Sequence, residues 1–231
     1  EFDVVSLYVE QVKGNDLSRE RVQRYPKMKL FPTIKDALTL GGPKLAVDAV
    51  LLIGEHGDYP HNEKGQKLYP RYEYFQQVVD VYRRSNRTAP LFSDKHLSWN
   101  FRWAKEMVET SQKMGFGFMA GSSLPVSRRL PSREFPHNAQ AEEAVAIADG
   151  GIDGGDIHII EAMQSVIERR RGGETGIEAV QALRGDAFWK AMAAGSWEKG
   201  GWDRRLFDSA MSRCNTVSVV RPNSVSYTHL R

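Results

Sequence analysis

Apolar positions along this chain fall into short runs whose period switches between strand-like and helix-like. "DVVSLYV" (3–9) is β-branched and aromatic and predicts a strand. "NDLSRERVQRYP" predicts a helix, with Asp16 or Ser18 as N-cap and Pro26 as its stop. After the short extended "MKLFPT", "TIKDALTLGG" puts Ile34, Ala37 and Leu38 at helical spacing behind a possible Thr33 cap and ends on a Gly pair. "VDAVLLIG" (47–54) and "APLFSD" (89–94) are nearly continuous apolar runs, the pattern of strands buried on both faces of a parallel sheet. Between them, "YPRYEYFQQVVDVYRRSNR" carries Tyr74, Phe75, Val78, Val79 and Tyr82 on one helical face. "SWNFRWAKEMVETSQKMG" predicts another helix ending at Gly115, and "FGFMAG" another strand.

This alternation through about residue 123 predicts βαβ units in a doubly wound α/β sheet, with the 47–54 and 89–94 runs as adjacent, central, parallel strands. "SSLPVSRRLPSREFPHN" (122–138) loses all periodicity and reads as a linker or domain crossing. Beyond it, "EEAVAIADGG" predicts a strand and "DIHIIEAMQSVIERR" a helix with Ile159, Ile160, Met163, Val166 and Ile167 on one face. "GIEAVQALRGDAFWKAMAAG" reads as helical or mixed, and the remainder is Trp-rich and weakly patterned. The expected organisation is therefore a first domain over 1–123 and part of a second α/β domain over 124–224.

Bulk composition changes this picture little. The net charge of +3 is spread along the chain, and the cluster "ERRRGG" suits a solvated helix C-terminus. Nothing in it argues for a nucleic-acid partner, and no apolar run is long enough to span a membrane. The single cysteine, Cys214, rules out an internal disulfide framework; this fits a reducing compartment and favours the cytoplasm. The ends look artificial. The chain opens without methionine inside a strand-like run, and "VSYTHLR" (Val225–Arg231) resembles a translated sequencing adapter. The chain is therefore read as a fragment of a longer gene whose tail packs against nothing.

Candidate chemistry falls where strands end, because ligands of open parallel sheets bind at the strands' carboxyl ends. The first strand ends at Glu10, which could accept the ribose hydroxyls of a dinucleotide or stand as a charge in water. The second apolar run ends in "GEHGDYPH", the third in "DKH". Lys95 could hydrogen-bond a substrate hydroxyl or exchange a proton; as a surface-loop lysine it would do neither. Glu55, His56, Asp58 and His61, joined by Asp94 and His96, are residue types that bind divalent metals, but their spacing matches no strong metal signature. The alternative is a turn shaped by Gly57 and Pro60. His158, expected in the first turn of its helix, would be kept neutral there by the helix dipole and suited to proton transfer; it could equally cap or pack.

Taken in order, these segments resemble the Gfo/Idh/MocA family of oxidoreductases. "VVSLYVE" is similar to that family's acid-terminated second strand, and "DALTLGGPKLAVDAVLLIGE" to its next strand-forming pattern. "SDKHLSWNFRWAKEMVETSQKMGFGFMAG" is similar to its Glu-Lys-Pro region, and "GGIDGGDIHIIEAM" to its Asp/His element in the substrate domain. The resemblance implies an incomplete Rossmann-like parallel sheet flanked by helices, followed by part of a second α/β substrate domain. It implies NAD or NADP as cofactor, a carbohydrate-like small-molecule substrate and a possible homo-oligomer. It places Glu10, Gly54, Glu55 and Asp94 on the cofactor side and gives catalytic roles to Lys95, His158 and Asp153. The sequence also departs from the family. Asp94 and His96 stand where the family has glutamate and proline, and Gly154, flanked by Asp153 and Asp156, stands where it has its aspartate. The glycine-rich phosphate turn is absent and would lie upstream of Glu1. Two other readings stay open: a non-catalytic nucleotide- or sugar-binding relative, and a metal-dependent hydrolase or lyase using "EHGDYPH" and "DKH".

Overall fold

The structure is a computed structural model that describes residues 2–54, 56–148, 152–195, 201–213 and 224–229. The chain divides into two compact units, Glu1–Gly121 and Ser122–Arg231.

The first unit is α/β, as expected. Its elements are β1 (Ser6–Tyr8), α1 (Ser18–Arg24), β2 (Lys29–Phe31), α2 (Ile34–Thr39), β3 (Val50–Leu52), α3 (Arg71–Ser85), β4 (Leu91–Asp94), α4 (Phe101–Met114) and β5 (Phe118–Gly121). Local sequence sets most boundaries. The Thr33 hydroxyl accepts the Asp36 amide (3.0 Å) at the start of α2, and Asn100 accepts the amides of Arg102 (2.9 Å) and Trp103 (3.4 Å) at the start of α4. Asn86 and Gly115 close α3 and α4 in the left-handed conformation, which costs glycine nothing and asparagine little.

All strand pairs in this unit are parallel. β1 pairs with β2, and β3, β4 and β5 form a second sheet in that order. β3 and β4 are neighbours as expected, with Leu51 opposite Phe92, but β3 lies at an edge of its sheet rather than at the centre. Nor is it buried on both faces. Val50 and Leu52 face a core built with Ile34, Leu38, Phe75, Val78, Val79, Tyr82, Leu91, Met107 and Phe116, whereas Leu51 and Ile53 are 65% and 66% exposed. The helices α2, α3 and α4 supply the layer on one face only, so the apolar run is satisfied on that face and open on the other.

The second unit contains β6 (Glu143–Ala148), α5 (Ile152–Ile167), α6 (Asp186–Ala194), α7 (Arg204–Met211) and β7 (Ser224–His229). The tail does not hang free. β7 pairs antiparallel with β6 along its length, from Glu143 opposite His229 to Ala148 opposite Ser224. "SVSYTH" alternates β-prone and small residues, and a free backbone edge on β6 is enough to template such a segment. α5 also begins earlier than expected. It runs through Gly154 and Gly155, so His158 lies in the second turn, where the dipole argument for a neutral imidazole no longer applies. The segment read as a linker is docked along α5: Arg129 donates to the Ser165 hydroxyl (3.1 Å) and Arg169 to the Phe135 carbonyl (2.5 Å). Helices α6 and α7 bring Phe188, Trp189 and Phe207 together with Trp202, the Phe188 and Trp202 rings 4.7 Å apart. Among the described residues, no helix is long and apolar enough to cross a membrane.

Candidate functional site

The carboxyl ends of β1, β3 and β4 carry a layer of polar side chains. At the β1 end, Glu10 is exposed to solvent. The hydroxyls of Tyr59 and Tyr74 both donate to its Oε2 at 2.6 Å, and the two phenol oxygens lie 3.0 Å apart. Tyr74 is presented by α3; Tyr59 comes from the loop after β3. Partial burial and the neighbouring carboxylate push the Tyr59 phenol up to about 12, and the same causes raise Tyr74 strongly. Next to them Gln11 holds Asp58 through both backbone groups: its Oε1 accepts the Asp58 amide (2.7 Å) and its Nε2 donates to the Asp58 carbonyl (3.4 Å). Lys13 pairs with the Asp58 carboxylate at 2.7 Å and holds it below its ordinary range.

At the β4 end the chemistry is charged and more enclosed. Lys95 takes a left-handed backbone (φ 68°), and its amide donates to the Gly121 carbonyl of β5 (2.9 Å). Its ammonium pairs with the adjacent Asp94 carboxylate at 2.8 Å, with side chains 17% and 20% exposed. His96 then points to Arg71, whose Nη1 lies 2.8 Å from the imidazole Nε2. A guanidinium only donates, so Nε2 accepts, and the ring is neutral with its proton on Nδ1. Arg71 is 1% exposed, and its guanidinium lies 4.5 Å from the centre of the Tyr69 ring. Gly54 is required here: a Cβ in its place would lie 2.9 Å from the Arg71 side chain. Tyr69 links the two clusters, 5.8 Å from the Tyr59 ring and 6.5 Å from the His96 ring.

Of the residues singled out from the sequence, Asp94 and Lys95 meet directly, Gly54 lies against Arg71, and Glu10 anchors the phenol pair. Glu55 lies outside the described residues. His158 belongs to the second unit, where its Nδ1 lies 3.3 Å from the Ser122 hydroxyl and the nearby Glu161 accepts the Ser122 amide (2.9 and 3.2 Å). Asp153 falls in the first turn of α5, and its side chain lies outside the described set. Among the described residues, no group of three His, Cys, Asp or Glu is placed to hold a metal ion, so His56, Asp58, His61, Asp94 and His96 do not converge. Sequence reasoning missed Arg71, Tyr59 and Tyr69. Arg71 had a signal: it stands four residues before Phe75 on the buried stripe of α3, where an arginine is out of place unless it has a partner.

No protein-family profile matches the chain, and no curated protein does. Solved structures with a similar course include a super-repressor mutant of Gal80p from Saccharomyces cerevisiae, at 14% identity and a TM-score of 0.42, covering 63% of this chain and 35% of that one. Another is the dehydrogenase MviM from Clostridium difficile, at 14% identity and a TM-score of 0.45, covering 75% and 52%. The chain thus spans between about a third and a half of the length of these proteins.

Proposed function

We propose that this chain contributes the nucleotide-binding part of an NAD(P)-dependent oxidoreductase that acts on a CH–OH group of a sugar or polyol, in the manner of the Gfo/Idh/MocA proteins its sequence resembles. The observation that carries the reading is the polar layer at the carboxyl ends of the parallel strands β1, β3 and β4, the position where open α/β sheets take their ligands. The residues present fit the ribose end of such a cofactor. Glu10 is exposed, and only its Oε2 accepts a described hydrogen bond, so Oε1 can receive a sugar hydroxyl. Gly54 and Asp94 lie at or just past the carboxyl ends of β3 and β4, and Glu55 follows Gly54 in sequence.

A bound nicotinamide would supply the acceptor for the substrate's hydride. The chain's part is to bind, orient and move the proton. In this reading the Lys95 ammonium, fixed by its left-handed backbone and by Asp94, donates to the substrate oxygen. The family resemblance also assigns His158 and Asp153 a part in proton transfer. A second reading, a binding relative without catalysis, is favoured by one observation: Lys95 and Asp94 already neutralise each other.

Titration with NAD(H) and NADP(H), followed by a panel of polyols, separates the two. Saturable binding that Glu10→Gln weakens at least about tenfold supports the nucleotide site, this being the loss of a hydrogen bond to a charged acceptor. Turnover that Lys95→Ala reduces about 10²-fold supports catalysis. Binding without turnover on any polyol selects the second reading, and no binding of either dinucleotide removes both.

A further inference from the structure

We propose that Tyr59 is an internal stand-in for the ribose hydroxyls, so that the loop from His56 to Pro70 is a strap that must release Glu10 before a dinucleotide can engage it fully. The inference rests on the reading of Glu10 as the ribose acceptor and concerns how that site is regulated.

A carboxylate that grips a vicinal diol uses both oxygens, one for each hydroxyl. Here Oε2 already holds two hydroxyl donors at 2.6 Å, which lie side by side at 3.0 Å as a diol's hydroxyls would. Oε1 is left with acceptor positions of its own, but a grip with one hydroxyl on each oxygen also needs Oε2. Bidentate capture therefore requires one phenol to leave. Tyr74 is the fixed one: it sits on α3, whose neighbouring Phe75, Val78 and Val79 are at most 2% exposed. Tyr59 is the mobile candidate, because the stretch of loop around it is held by contacts at the surface. The far end of the loop is anchored by the Gln66 bond to the Trp99 carbonyl (3.3 Å) and by Tyr69 against the buried Arg71, whereas around Tyr59 the contacts are the exposed Gln11–Asp58 pair and the Lys13–Asp58 ion pair. Exposed contacts of this kind add little stability each.

Gly57 gives independent support. A Cβ there would fall 2.0 Å from Cε2 of Tyr59, so the ring lies close against the Gly57 backbone and only glycine permits the closed position. The Gly57 backbone is not in the left-handed region, so alanine can adopt its conformation and acts on the Tyr59 ring alone. The strap itself is ordered rather than slack. Asn62 Oδ1 accepts the amides of Lys64 and Gln66 at 3.0 Å, and the Leu68 amide donates to the Pro60 carbonyl at 2.9 Å. Its near end can swing away from the end anchored at Tyr69, carrying Tyr59 with it.

If the closed strap is the majority state, apparent affinity is reduced by the fraction of molecules that are open. Tyr59→Phe deletes one hydroxyl donor, and Gly57→Ala expels the ring; both raise the open fraction. The test measures NADH binding by tryptophan-to-nicotinamide energy transfer in wild type, Tyr59→Phe and Gly57→Ala, with hydrogen exchange of residues 56–70 recorded with and without NADH. Tightening of about tenfold in both variants, together with faster exchange in the strap of the wild type when NADH is bound, is the expected result. Binding seen in the variants but not in wild type is the same result in its extreme form. Binding by wild type that both variants leave unchanged or weaken, or strap exchange that NADH leaves unaltered or slows, overturns the strap and leaves the dinucleotide reading standing. Absence of binding in all three proteins overturns both.

Discussion

The two polar clusters at the strand ends satisfy their charges in opposite ways. Around Glu10, an exposed carboxylate is met by neutral phenols. Around Lys95, an ammonium, a carboxylate and a guanidinium are held at low exposure, with a neutral imidazole beside them. The first arrangement keeps its charge at the surface and can exchange one hydroxyl donor for another. The second has removed its charges from water, so each partner depends on the others being present. A ligand site needs the first kind of economy where it must open, and the second where it must hold a group still.

The largest effect should come from breaking the enclosed cluster at Arg71. Arg71→Ala removes the donor to His96 and the cation over Tyr69, and empties a space that is 1% exposed. The expected loss is about 3 kcal/mol or more of unfolding free energy, read as a lower midpoint in urea. Arg71→Met, which keeps much of the volume, should lose distinctly less. Equal losses would mean that packing plays no part and the charge plays all of it.

The Glu10 cluster should be found by alkali rather than by truncation. Tyr59 is raised to about 12, and Tyr74 and Tyr82 are raised too, all chiefly by burial. A phenol whose folded value lies above its unfolded value contributes stability that is complete below pH 10 and is lost as pH rises through the folded value. Stability should therefore be flat up to about pH 10 and fall towards pH 12. Absorbance titration should show a late-ionising group of tyrosines that appears only with unfolding. Glu10→Gln removes the neighbouring negative charge and should bring Tyr59 and Tyr74 down, leaving Tyr82 in place, since its hydroxyl donates to the Ala89 carbonyl instead.

What was legible in the sequence was what local chemistry dictates. The strand ending in "SDKH" could be read because an apolar run stops on three ionisable residues, and the caps Thr33 and Gly115 because their side chains or backbones suit such positions. The second face of β3 could not be read. Leu51 and Ile53 look the same whether a helix covers them or not. Tyr59 and Tyr74 carried no mark either, because a tyrosine on an amphipathic helix or in a loop serves equally as packing; only the fold brings them to one carboxylate oxygen. The start of α5 was hidden by its glycines, each of which costs a helix about 1 kcal/mol, so that tertiary packing overrides the local preference there. The β7 pairing was missed because the origin assigned to "SVSYTH" displaced its plain β-propensity.

A smaller effect tests the platform under the enclosed cluster. Asn100 is the only cap offered to α4 by the residue at its N-terminus, and it accepts two amides. Asn100→Ala should lower stability by about 1 kcal/mol, and Asn100→Asp should restore it, because an anion at a helix N-terminus also meets the dipole. A loss confined to hydrogen-exchange protection of Arg102 to Ala104, without a shift in the global midpoint, would mean that α4 frays on its own and does not unfold with the sheet.

The smallest effect separates exposed from enclosed ion pairs. Lys13–Asp58 and Lys95–Asp94 have nearly the same length, 2.7 and 2.8 Å, but the first has side chains 37% and 84% exposed and the second 17% and 20%. In the first pair, water and salt screen the charges and the long lysine gives up rotamer freedom to hold the contact. Lys13→Ala should therefore leave the urea midpoint where it was. It should still be visible at the carboxylate: Asp58 is held down first by the hydrogen bond from Lys13 and then by its charge, so the variant should titrate at its ordinary value. A folded value below the unfolded one gives stability that is present above the unfolded value and fades as pH falls through the folded one, so any trace of this pair appears only in neutral buffer and not in strong acid. Raising salt should erase that trace in the wild type and leave Lys95–Asp94 largely as it was. If instead Lys13→Ala lowers the midpoint as much as Lys95→Ala does, exposure does not separate the two clusters, and the strap over Glu10 is held more firmly than surface contacts allow.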